Sequence, residues 1–420
     1  MKIEEILQRY KENEKALQLQ NALLINSCLH AKLSGLQGSA LSFYLAALFS
    51  KTNCTHLCVL PDKEKAALLF SDLEQIFQEQ NIDIQEKKIL FYSDDKHLSH
   101  KIDYYNNLLR NNVLTKVQQT SHLLIVSYME AVCETIVDNR VMAENKLFLK
   151  VGENYSLDEL IEKLSDYDFE YADFVVHPGQ YTLRGGLIDV FTYAHEMPVR
   201  IEFDGDKIYS LRLFDIETQL TQQKIEEITI APDVFSRQEK NKPKIDFFSI
   251  LPTNTIIWMD DMVVCEHEME RKYVNGEIYD NQENNEYIDF ACFRKKILNF
   301  ALFEFGKNAY ATPDIELSFQ ISSQMSVNKQ FKMLIDDWIA HYQAGFLIFF
   351  SSANENQSVR MRNIVRDLIE TDNQYAIYTS EEKNTIESKM VQYISSPLHE
   401  GFVDNDTKIA FYTDHQIFNR

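Results

Sequence analysis

The segment from residue 177 to residue 220 constrains the fold of this chain more than any other part of the sequence. It reads HPGQYTLRGGLIDVFTYAHEMPVRIEFDGDKIYSLRLFDIETQL, and apolar residues alternate with polar ones along it. Glycine and proline interrupt this alternation at short intervals. A period of two with frequent turn residues is typical of short antiparallel strands joined by tight hairpins. The sequence therefore predicts a small β-rich module, which we place at residues 150–231.

Strands that alternate with helices are predicted on both sides of this module. In the first 149 residues, the apolar runs HLCVLP, KILFY and HLLIVS lie between stretches with helical periodicity. This alternation is typical of βαβ units and predicts a parallel sheet. From residue 325 the pattern resumes with the predicted helix FKMLIDDWIAHY and the predicted strands GFLIFFS, YAIYT and KIAFYT. The chain is therefore predicted to be an α/β protein whose last part, residues 325–420, is a second small α/β domain.

The composition limits the classes of protein to which the chain can belong. Its 64 acidic and 42 basic side chains give a formal charge of −22, and no cluster of lysine and arginine interrupts this acidic field. Such a charge repels phosphate backbones and disfavours direct binding of duplex DNA. No apolar run approaches the roughly eighteen residues of a membrane span, and the charged N-terminus is unlike a signal peptide. Six cysteines without a Cys-x-x-Cys pair indicate reduced thiols, so we expect a cytoplasmic protein with no membrane partner.

The order of motifs within the module resembles that of a known family. Gly-Gln-Tyr, Arg-Gly-Gly-Leu-Ile-Asp-Val-Phe, Arg-Ile-Glu-Phe and Phe-Asp-x-x-Thr-Gln follow one another over more than forty residues. This order resembles the module shared by the excinuclease protein UvrB and the transcription-repair coupling factors, which docks onto the excinuclease protein UvrA. The resemblance implies a degenerate helicase-like (RecA-like) domain into which the module is inserted. The implied divisions are 1–149 for its first part, 150–231 for the module, 232–324 for its remainder and 325–420 for the small α/β domain.

The resemblance also implies which residues dock onto UvrA. In the family, the arginines of two of these motifs contact the partner, and they correspond to Arg184 and Arg200. We add Phe203 as a neighbouring aromatic, because arginine and aromatic residues dominate interface hot spots and the guanidinium fork binds carboxylates through two hydrogen bonds. In an alternative that remains open, the arginines pair with carboxylates of the module itself. The candidates are Asp189, Glu202 and Asp206.

A glycine-rich loop follows the first predicted strand. In UvrB this loop has the form Gly-x-x-Gly-Ser-Gly-Lys-Thr, and its backbone amides and lysine hold nucleotide phosphates. The corresponding residues here are Gly35, Gly38, Ser39, Ala40, Leu41 and Ser42. Ala40 replaces a glycine that allows close approach, and Leu41 replaces the lysine that neutralises the phosphates. Although Ser42 retains a hydroxyl that could bind magnesium, the sequence predicts a degenerate loop that turns over no ATP.

The acidic partner of such a loop normally stands at the end of an apolar strand, where it holds the metal and orients the attacking water. In this chain Asp260 and Asp261 follow the apolar run TIIWM. Asp261 is one methylene shorter than the glutamate of the family, so we interpret both as degenerate acids that cap the strand. We therefore predict no catalytic residue and no cofactor for this chain, and we expect ATP and Mg²⁺ only in a separate motor.

Two further groups could bind a metal in principle: Cys54, His56 and Cys58, and Cys265, His267 and Glu268. The first group lacks a second pair of ligands at zinc spacing, and its cysteines flank an apolar run that is typical of a buried strand. The second group lies in a stretch with helical periodicity, which favours a solvated helix face. We therefore predict no metal site at either place.

These expectations combine into one functional prediction. The chain is identified as the N-terminal, UvrB-like region of a transcription-repair coupling factor, which recruits UvrA to stalled transcription. Its closing segment, GFVDNDTKIAFYTDHQIFNR, resembles the family's sequence just before its polymerase-interacting domain. The resemblance thus implies that RNA polymerase and DNA bind C-terminal domains beyond this segment, and that another C-terminal domain masks the module in the resting protein.

Two alternatives come from other classes of protein. The first is an ATP-dependent, damage-binding protein similar to UvrB. Leu41 argues against it, and so do the ten residues between Tyr92 and Asp103, which are too few for the DNA-binding hairpin of that family. The second is a structural spacer, which would need no exposed pair of arginines.

Overall fold

The structure is a computed structural model of the chain. It describes residues 3–78, 88–94, 104–137, 146–232, 243–275, 287–310, 312–325, 327 and 330–418. The chain divides into two compact units. The first unit comprises residues 1–89, 254–267 and 297–420, and the second comprises residues 90–253 and 268–296.

The elements of the described residues are as follows. The helices are α1 (Ile3–Glu12), α2 (Glu14–Ile25), α3 (Ala40–Phe49), α4 (Lys63–Gln78), α5 (Tyr104–Gln119), α6 (Met129–Cys133), α7 (Leu157–Asp166), α8 (Met262–Val274), α9 (Phe290–Ile297), α10 (Phe331–Gln343), α11 (Glu355–Thr371), α12 (Ser380–Ser388) and α13 (Asp414–Phe418). The strands are β1 (His30–Ser34), β2 (His56–Leu60), β3 (Ile89–Phe91), β4 (Leu124–Tyr128), β5 (Ile136–Val137), β6 (Leu147–Lys150), β7 (Glu170–Tyr171), β8 (Gln180–Arg184), β9 (Leu187–Phe191), β10 (Val199–Asp204), β11 (Lys207–Phe214), β12 (Thr221–Ile225), β13 (Glu227–Ile230), β14 (Lys244–Ile245), β15 (Ile256–Met259), β16 (Ala301–Glu304), β17 (Ile315–Ser318), β18 (Ile321–Ser323), β19 (Leu347–Ser351), β20 (Val391–Ile394), β21 (Phe402–Asp404) and β22 (Ile409–Thr413).

A parallel sheet forms the centre of the first unit. Within it the strands lie in the order β17-β1-β16-β15-β2, and each neighbouring pair is parallel. Strands β2, β15 and β16 are buried along their whole length, as expected for a parallel sheet covered on both faces. The chain returns to this sheet with β15 and β16 after it has formed the module. This arrangement confirms the predicted α/β class with a parallel sheet.

Helices α1 and α3 pack beside this sheet in the first unit. Helix α1 buries one face, which consists of Ile3, Ile6, Leu7 and Tyr10. Helix α3 is apolar all round and is buried at nearly every position, as expected of a helix inside a core. The ring of Tyr10 stacks on Phe43 with centroids 5.1 Å apart and meets Tyr44 edge-on at 4.8 Å.

The last part of the first unit contains a mixed sheet in the order β18-β21-β22-β19-β20. Strand β19 is parallel to both β20 and β22, whereas β21 is antiparallel to β18 and β22. The predicted strand YAIYT was wrong. Residues Asn373–Ile377 form a 3₁₀ helix, because the Asp372 side chain accepts the N–H of Gln374 and Tyr375 is buried in the core. Thr379 then begins α12 with a capping box.

The second unit contains the predicted β-rich module. Its six strands lie in the order β12-β11-β10-β9-β8-β7, all antiparallel except for β7 beside β8. The hairpins β8–β9 and β10–β11 close over two residues each, and their first turn residues, Gly185 and Gly205, have φ values of 64° and 61°. Such left-handed turns match the twist of antiparallel strands and favour glycine. Helix α7 begins with a capping box formed by Ser156 and Glu159, and it buries Leu160 and Leu164 in the module.

Candidate functional site

The glycine-rich loop that the sequence predicts to be degenerate joins β1 to α3 in the first unit. We call it the relic loop. Gly35 has a φ of 85°, and a Cβ at this position would lie 2.2 Å from the backbone oxygen of Phe319. Gly38 has a φ of 54°. Ala40 is buried in the first turn of α3, and Leu41 beside it is half-buried. The loop therefore keeps the strand–loop–helix arrangement that holds phosphates in nucleotide-binding proteins, while residue 41 supplies no cation.

Another segment of the chain lies against this loop. We call residues 399–401, which precede β21, the closing turn. The Ser39 N–H donates to the Glu400 backbone oxygen at 3.4 Å, and the Ser39 hydroxyl accepts the Glu400 N–H at 3.0 Å. A Cβ on Gly38 would lie 3.3 Å from the Gly401 oxygen and 3.4 Å from the Glu400 carboxyl carbon. The Ser39 amide and hydroxyl are therefore hydrogen-bonded to the backbone of Glu400.

His399 of the closing turn is paired with a buried acid. Its Nδ1 lies 2.6 Å from Asp72 Oδ2, and its backbone N–H donates to Asp72 Oδ1 at 2.8 Å. Ser42, which the sequence offers as a magnesium ligand, donates its hydroxyl to Asp72 at 3.2 Å. Burial acts to lower the pKa of His399, but the Asp72 carboxylate outweighs burial and the pKa is raised.

This group is not a nucleophilic triad. In a Ser-His-Asp triad, the serine and the aspartate contact different nitrogens of the imidazole ring. Here the Ser39 hydroxyl lies 3.2 Å from His399 Nδ1, which is the same nitrogen that contacts Asp72. The arrangement therefore serves to attach the closing turn to the relic loop.

Asp261, the second of the two predicted degenerate acids, accepts hydrogen bonds from two backbone segments. Its carboxylate accepts the N–H groups of Lys307 at 3.0 Å, Asn308 at 3.1 Å and Val263 at 3.1 Å. Burial acts to raise the pKa of Asp261, but the hydrogen bonds from Asn308 outweigh it and the pKa is lowered. A Cβ on Gly306 would lie 2.4 Å from the Asp261 Cα. Asp261 thus caps α8 and holds the turn after β16.

Asp260, the first of the two predicted degenerate acids, follows β15 directly. Its Oδ1 accepts the N–H of Asp261 at 2.7 Å, and burial raises its pKa. Both acids therefore contact backbone groups of the chain, and Asp261 is buried rather than solvated.

A buried lysine near these acids was missed by the sequence analysis. Lys32 lies on β1 opposite Glu304 of β16 and is 7% exposed. Its Nζ donates to the backbone oxygens of Gly306 at 2.6 Å and Asn308 at 2.8 Å. Burial lowers its pKa, although Glu304 and the two aspartates act in the opposite direction. The signal that could have identified it is a lysine between Ala31 and Leu33, just before the glycine-rich loop.

The side chains of the two candidate metal groups have other partners. Both ring nitrogens of His56 are in hydrogen-bond contact, Nε2 with the Thr52 hydroxyl at 2.8 Å and Nδ1 with the Trp258 N–H at 3.1 Å. Cys58 is fully buried, and burial raises the pKa of its thiol. Cys265 is buried and His267 is exposed on the same helix, so their side chains point to different environments. Among the described residues, no cluster of histidine, cysteine and carboxylate groups could hold a metal ion.

The predicted docking residues lie on the module in the second unit. Arg200 of β10 pairs in register with Asp189 of β9 and with Arg212 of β11, and Arg212 pairs with Lys224 of β12. These residues form one row across the sheet, which we call the arginine row. Because side chains alternate between faces, the row lies on the side opposite the module core.

Arg200 is held within the module as the open alternative predicts. Its Nε donates to Asp189 Oδ1 at 2.7 Å and its Nη2 donates to Oδ2 at 2.8 Å. The guanidinium also lies over the ring of Phe214, 4.7 Å from its centroid. Arg212 similarly donates to Glu202 at 2.7 Å.

Phe203 does not lie with the arginines. It stands three residues after Arg200 on the same strand, and an odd spacing places two side chains on opposite faces of a sheet. Phe203 accordingly packs against the module core. The prediction grouped Phe203 with the arginines as a neighbouring aromatic, without allowing for the alternation of side chains along a strand.

Arg184 lies at the end of β8 and is exposed. The register places Arg184 on the same face as Arg200. The two residues are two strands apart across the sheet and two positions apart along it, so their Cα atoms are about 12 Å apart. Its Nη2 donates to the backbone oxygen of Asp173 at 3.4 Å, and its guanidinium lies 4.9 Å from the centroid of the Phe174 ring.

A helix that crosses a membrane needs about 20 predominantly apolar residues. Within the part of the chain that the structure describes, no helix is long and apolar enough to cross a bilayer.

Known proteins share parts of this sequence. The family model of the UvrB interaction domain matches residues 147–235. The transcription-repair-coupling factor of Bacillus subtilis (strain 168) is 26% identical over 203 residues, which are 48% of this chain and 17% of that protein. The Escherichia coli (strain K12) factor is 26% identical over 202 residues, again 48% of this chain and 17% of the relative.

A third relative extends the comparison. The transcription-repair-coupling factor of Staphylococcus aureus (strain MSSA476) is 28% identical over 215 residues, which are 49% of this chain and 18% of that protein. The matches thus span less than one fifth of the length of these relatives. They confirm the resemblance that the motifs predicted. Residues 147–235 thus match the model of the UvrB interaction domain, and the chain is similar, over about half of its length, to the transcription-repair-coupling factors.

Proposed function

We propose that this chain is the N-terminal, UvrB-like region of a cytoplasmic transcription-repair coupling factor, and that its module recruits UvrA to stalled transcription. The observation that carries the proposal is Arg184, an exposed arginine on the module that matches the UvrB interaction domain. Arg200 lies on the same face, but its guanidinium is hydrogen-bonded to Asp189. It therefore stabilises the docking surface through a contact inside the module.

We further propose that the parallel-sheet domain turns over no ATP. Leu41 supplies no positive charge, and the closing turn lies against Ser39 and Gly38 on the side where phosphates would bind. Ser42 and Asp261 contact other groups of the chain, so neither is free to hold magnesium in this arrangement.

The remaining functions are proposed for other parts of a longer protein. The relatives are much longer than the region they share with this chain. We place RNA polymerase binding, DNA binding and an ATP- and Mg²⁺-dependent motor there, together with a domain that masks the module at rest.

Calorimetric titration of the full chain with purified UvrA tests the recruitment. We expect binding, and we expect Arg184→Glu to weaken it about 30-fold or more, as for a hot-spot residue. Arg366→Glu is the matched control, because Arg366 is exposed on α11 in the first unit. A wild-type chain that does not bind UvrA would leave the spacer alternative in place.

A further inference from the structure

An exposed apolar cluster lies at the edge of the module sheet. Strand β7 is the last strand of the sheet on this side, and the residues that follow it run beside β8. Within three positions, Phe174 and Val176 are 58% and 42% exposed. Single exposed apolar residues are ordinary, but a group of large ones marks an interaction surface.

This cluster is ordered by its own contacts. The neighbouring Tyr171 lies on the other face of the sheet, where its ring meets Tyr181 edge-on with centroids 5.7 Å apart. The Arg184 guanidinium lies over Phe174 at 4.9 Å and donates to the Asp173 backbone oxygen. Because these contacts hold the side chains before a partner arrives, less conformational entropy is lost on binding. We call Phe174, Val176 and Arg184 the edge patch.

The charge of Arg184 indicates what the partner supplies. The chain has an excess of acidic residues, and several of its arginines form ion pairs with them. These pairs are Arg110–Glu134, Arg200–Asp189, Arg212–Glu202 and Arg271–Glu268. Among the described residues, no carboxylate lies within ion-pair distance of Arg184. Its planar fork therefore retains the capacity to bind a carboxylate through two hydrogen bonds.

We propose that the edge patch is the main anchor of the docking surface, and that it binds a partner segment in which a carboxylate stands next to an apolar side chain. This inference rests on the proposed recruitment of UvrA and specifies which part of the module makes it. The carboxylate binds Arg184, and the apolar side chain packs on Phe174 and Val176. Arg200 is a positioning residue, because its guanidinium is already bound to Asp189.

The experiment compares apolar variants that leave every charge in place. In titrations of the full chain with UvrA, we expect Phe174→Ala and Val176→Ser each to weaken binding about 10-fold or more. The matched control is Phe148→Ala, which truncates a phenylalanine that is 64% exposed on β6 of the same unit, within the residues that match the UvrB interaction domain. The control is expected to bind within twofold of the wild type. Arg184→Lys is expected to weaken binding as well, because an ammonium group cannot form the two-pronged contact.

The outcomes separate this inference from the proposed function. If the wild type does not bind UvrA, the proposed function is wrong. If the wild type binds and Phe174→Ala binds equally well, the recruitment stands and the edge patch is not its anchor. Sedimentation at increasing protein concentration adds a third outcome. Self-association of the wild type that Phe174→Ala abolishes would show that a second copy of the chain occupies the patch, and this would overturn the inference.

Discussion

Arg200 and Asp189 face each other on neighbouring strands, and the guanidinium donates two hydrogen bonds to a carboxylate that is 3% exposed. Removal of the arginine leaves a buried carboxylate without a partner, which typically costs about 3 kcal/mol or more. We therefore predict that Arg200→Gln lowers the free energy of unfolding by about 3 kcal/mol in urea denaturation. Arg184→Gln serves as the control, since exposed substitutions usually change stability by about 0.5 kcal/mol or less. Equal stability of both variants would contradict a structural role for the pair.

Restoring the lost residues of the relic loop is predicted not to restore ATP turnover. In the double variant Ala40→Gly/Leu41→Lys, the closing turn still contacts Ser39. A phosphate-release assay with and without DNA is expected to show no magnesium-dependent signal for either the wild type or this variant. Turnover by the wild type that Asp260→Ala abolishes would instead support the ATP-dependent alternative.

The pair of His399 and Asp72 predicts a pH dependence of stability. The pKa of His399 is raised in the folded chain by Asp72, against the effect of burial. Its stabilising contribution is therefore fully present below the unfolded pKa of about 6.5 and is lost as the pH rises through the folded pKa. The stability difference between the wild type and His399→Gln should thus be largest below about pH 6.5 and shrink as the pH rises above it. The exposed His267→Gln provides the comparison, and an equal difference at all pH values would rule out the charged pair.

Gly306 is predicted to be intolerant of a side chain. A Cβ there would lie 2.4 Å from the Cα of Asp261, and backbone atoms cannot move aside as the end of a flexible side chain can. Overpacking of this kind costs about 1–3 kcal/mol, so Gly306→Ala should lower the thermal midpoint by several degrees. Gly186→Ala is the control, since its Cβ would meet an atom no closer than 3.6 Å. A similar midpoint for both variants would show that the turn after β16 adapts freely.

The acidic charge predicts weak binding of DNA. With a formal charge of −22, the chain should bind duplex DNA no better than the nonspecific range, roughly 100 μM at physiological salt. Fluorescence anisotropy with an intact and a damaged duplex measures this directly. Submicromolar binding to the damaged duplex would favour the damage-binding alternative.

Local features of the fold could be predicted from the sequence because they depend on neighbours along the chain. The alternation around Arg184 and the turn glycines Gly185 and Gly205 indicate two-residue hairpins, and the structure contains them. The apolar runs at β2 and β15 indicate buried parallel strands, and both lie in the sheet. The loss of a cation at Leu41 is likewise a property of the sequence alone.

Contacts between distant segments were decided only by the tertiary structure. Ser39 and His399 are 360 residues apart, and no local pattern indicates that the closing turn would lie against the relic loop. The segment YAIYT has an apparent strand pattern but does not form a strand. Burial of Tyr375 in the core, together with the local cap from Asp372, overrides this pattern. Phe203 and Arg200 are close in sequence, but they lie on opposite faces of the sheet. Phe203 packs against the module core, whereas Arg200 lies opposite Asp189 and binds it. Residue types thus set the available chemistry, while packing determined which partner each group contacts.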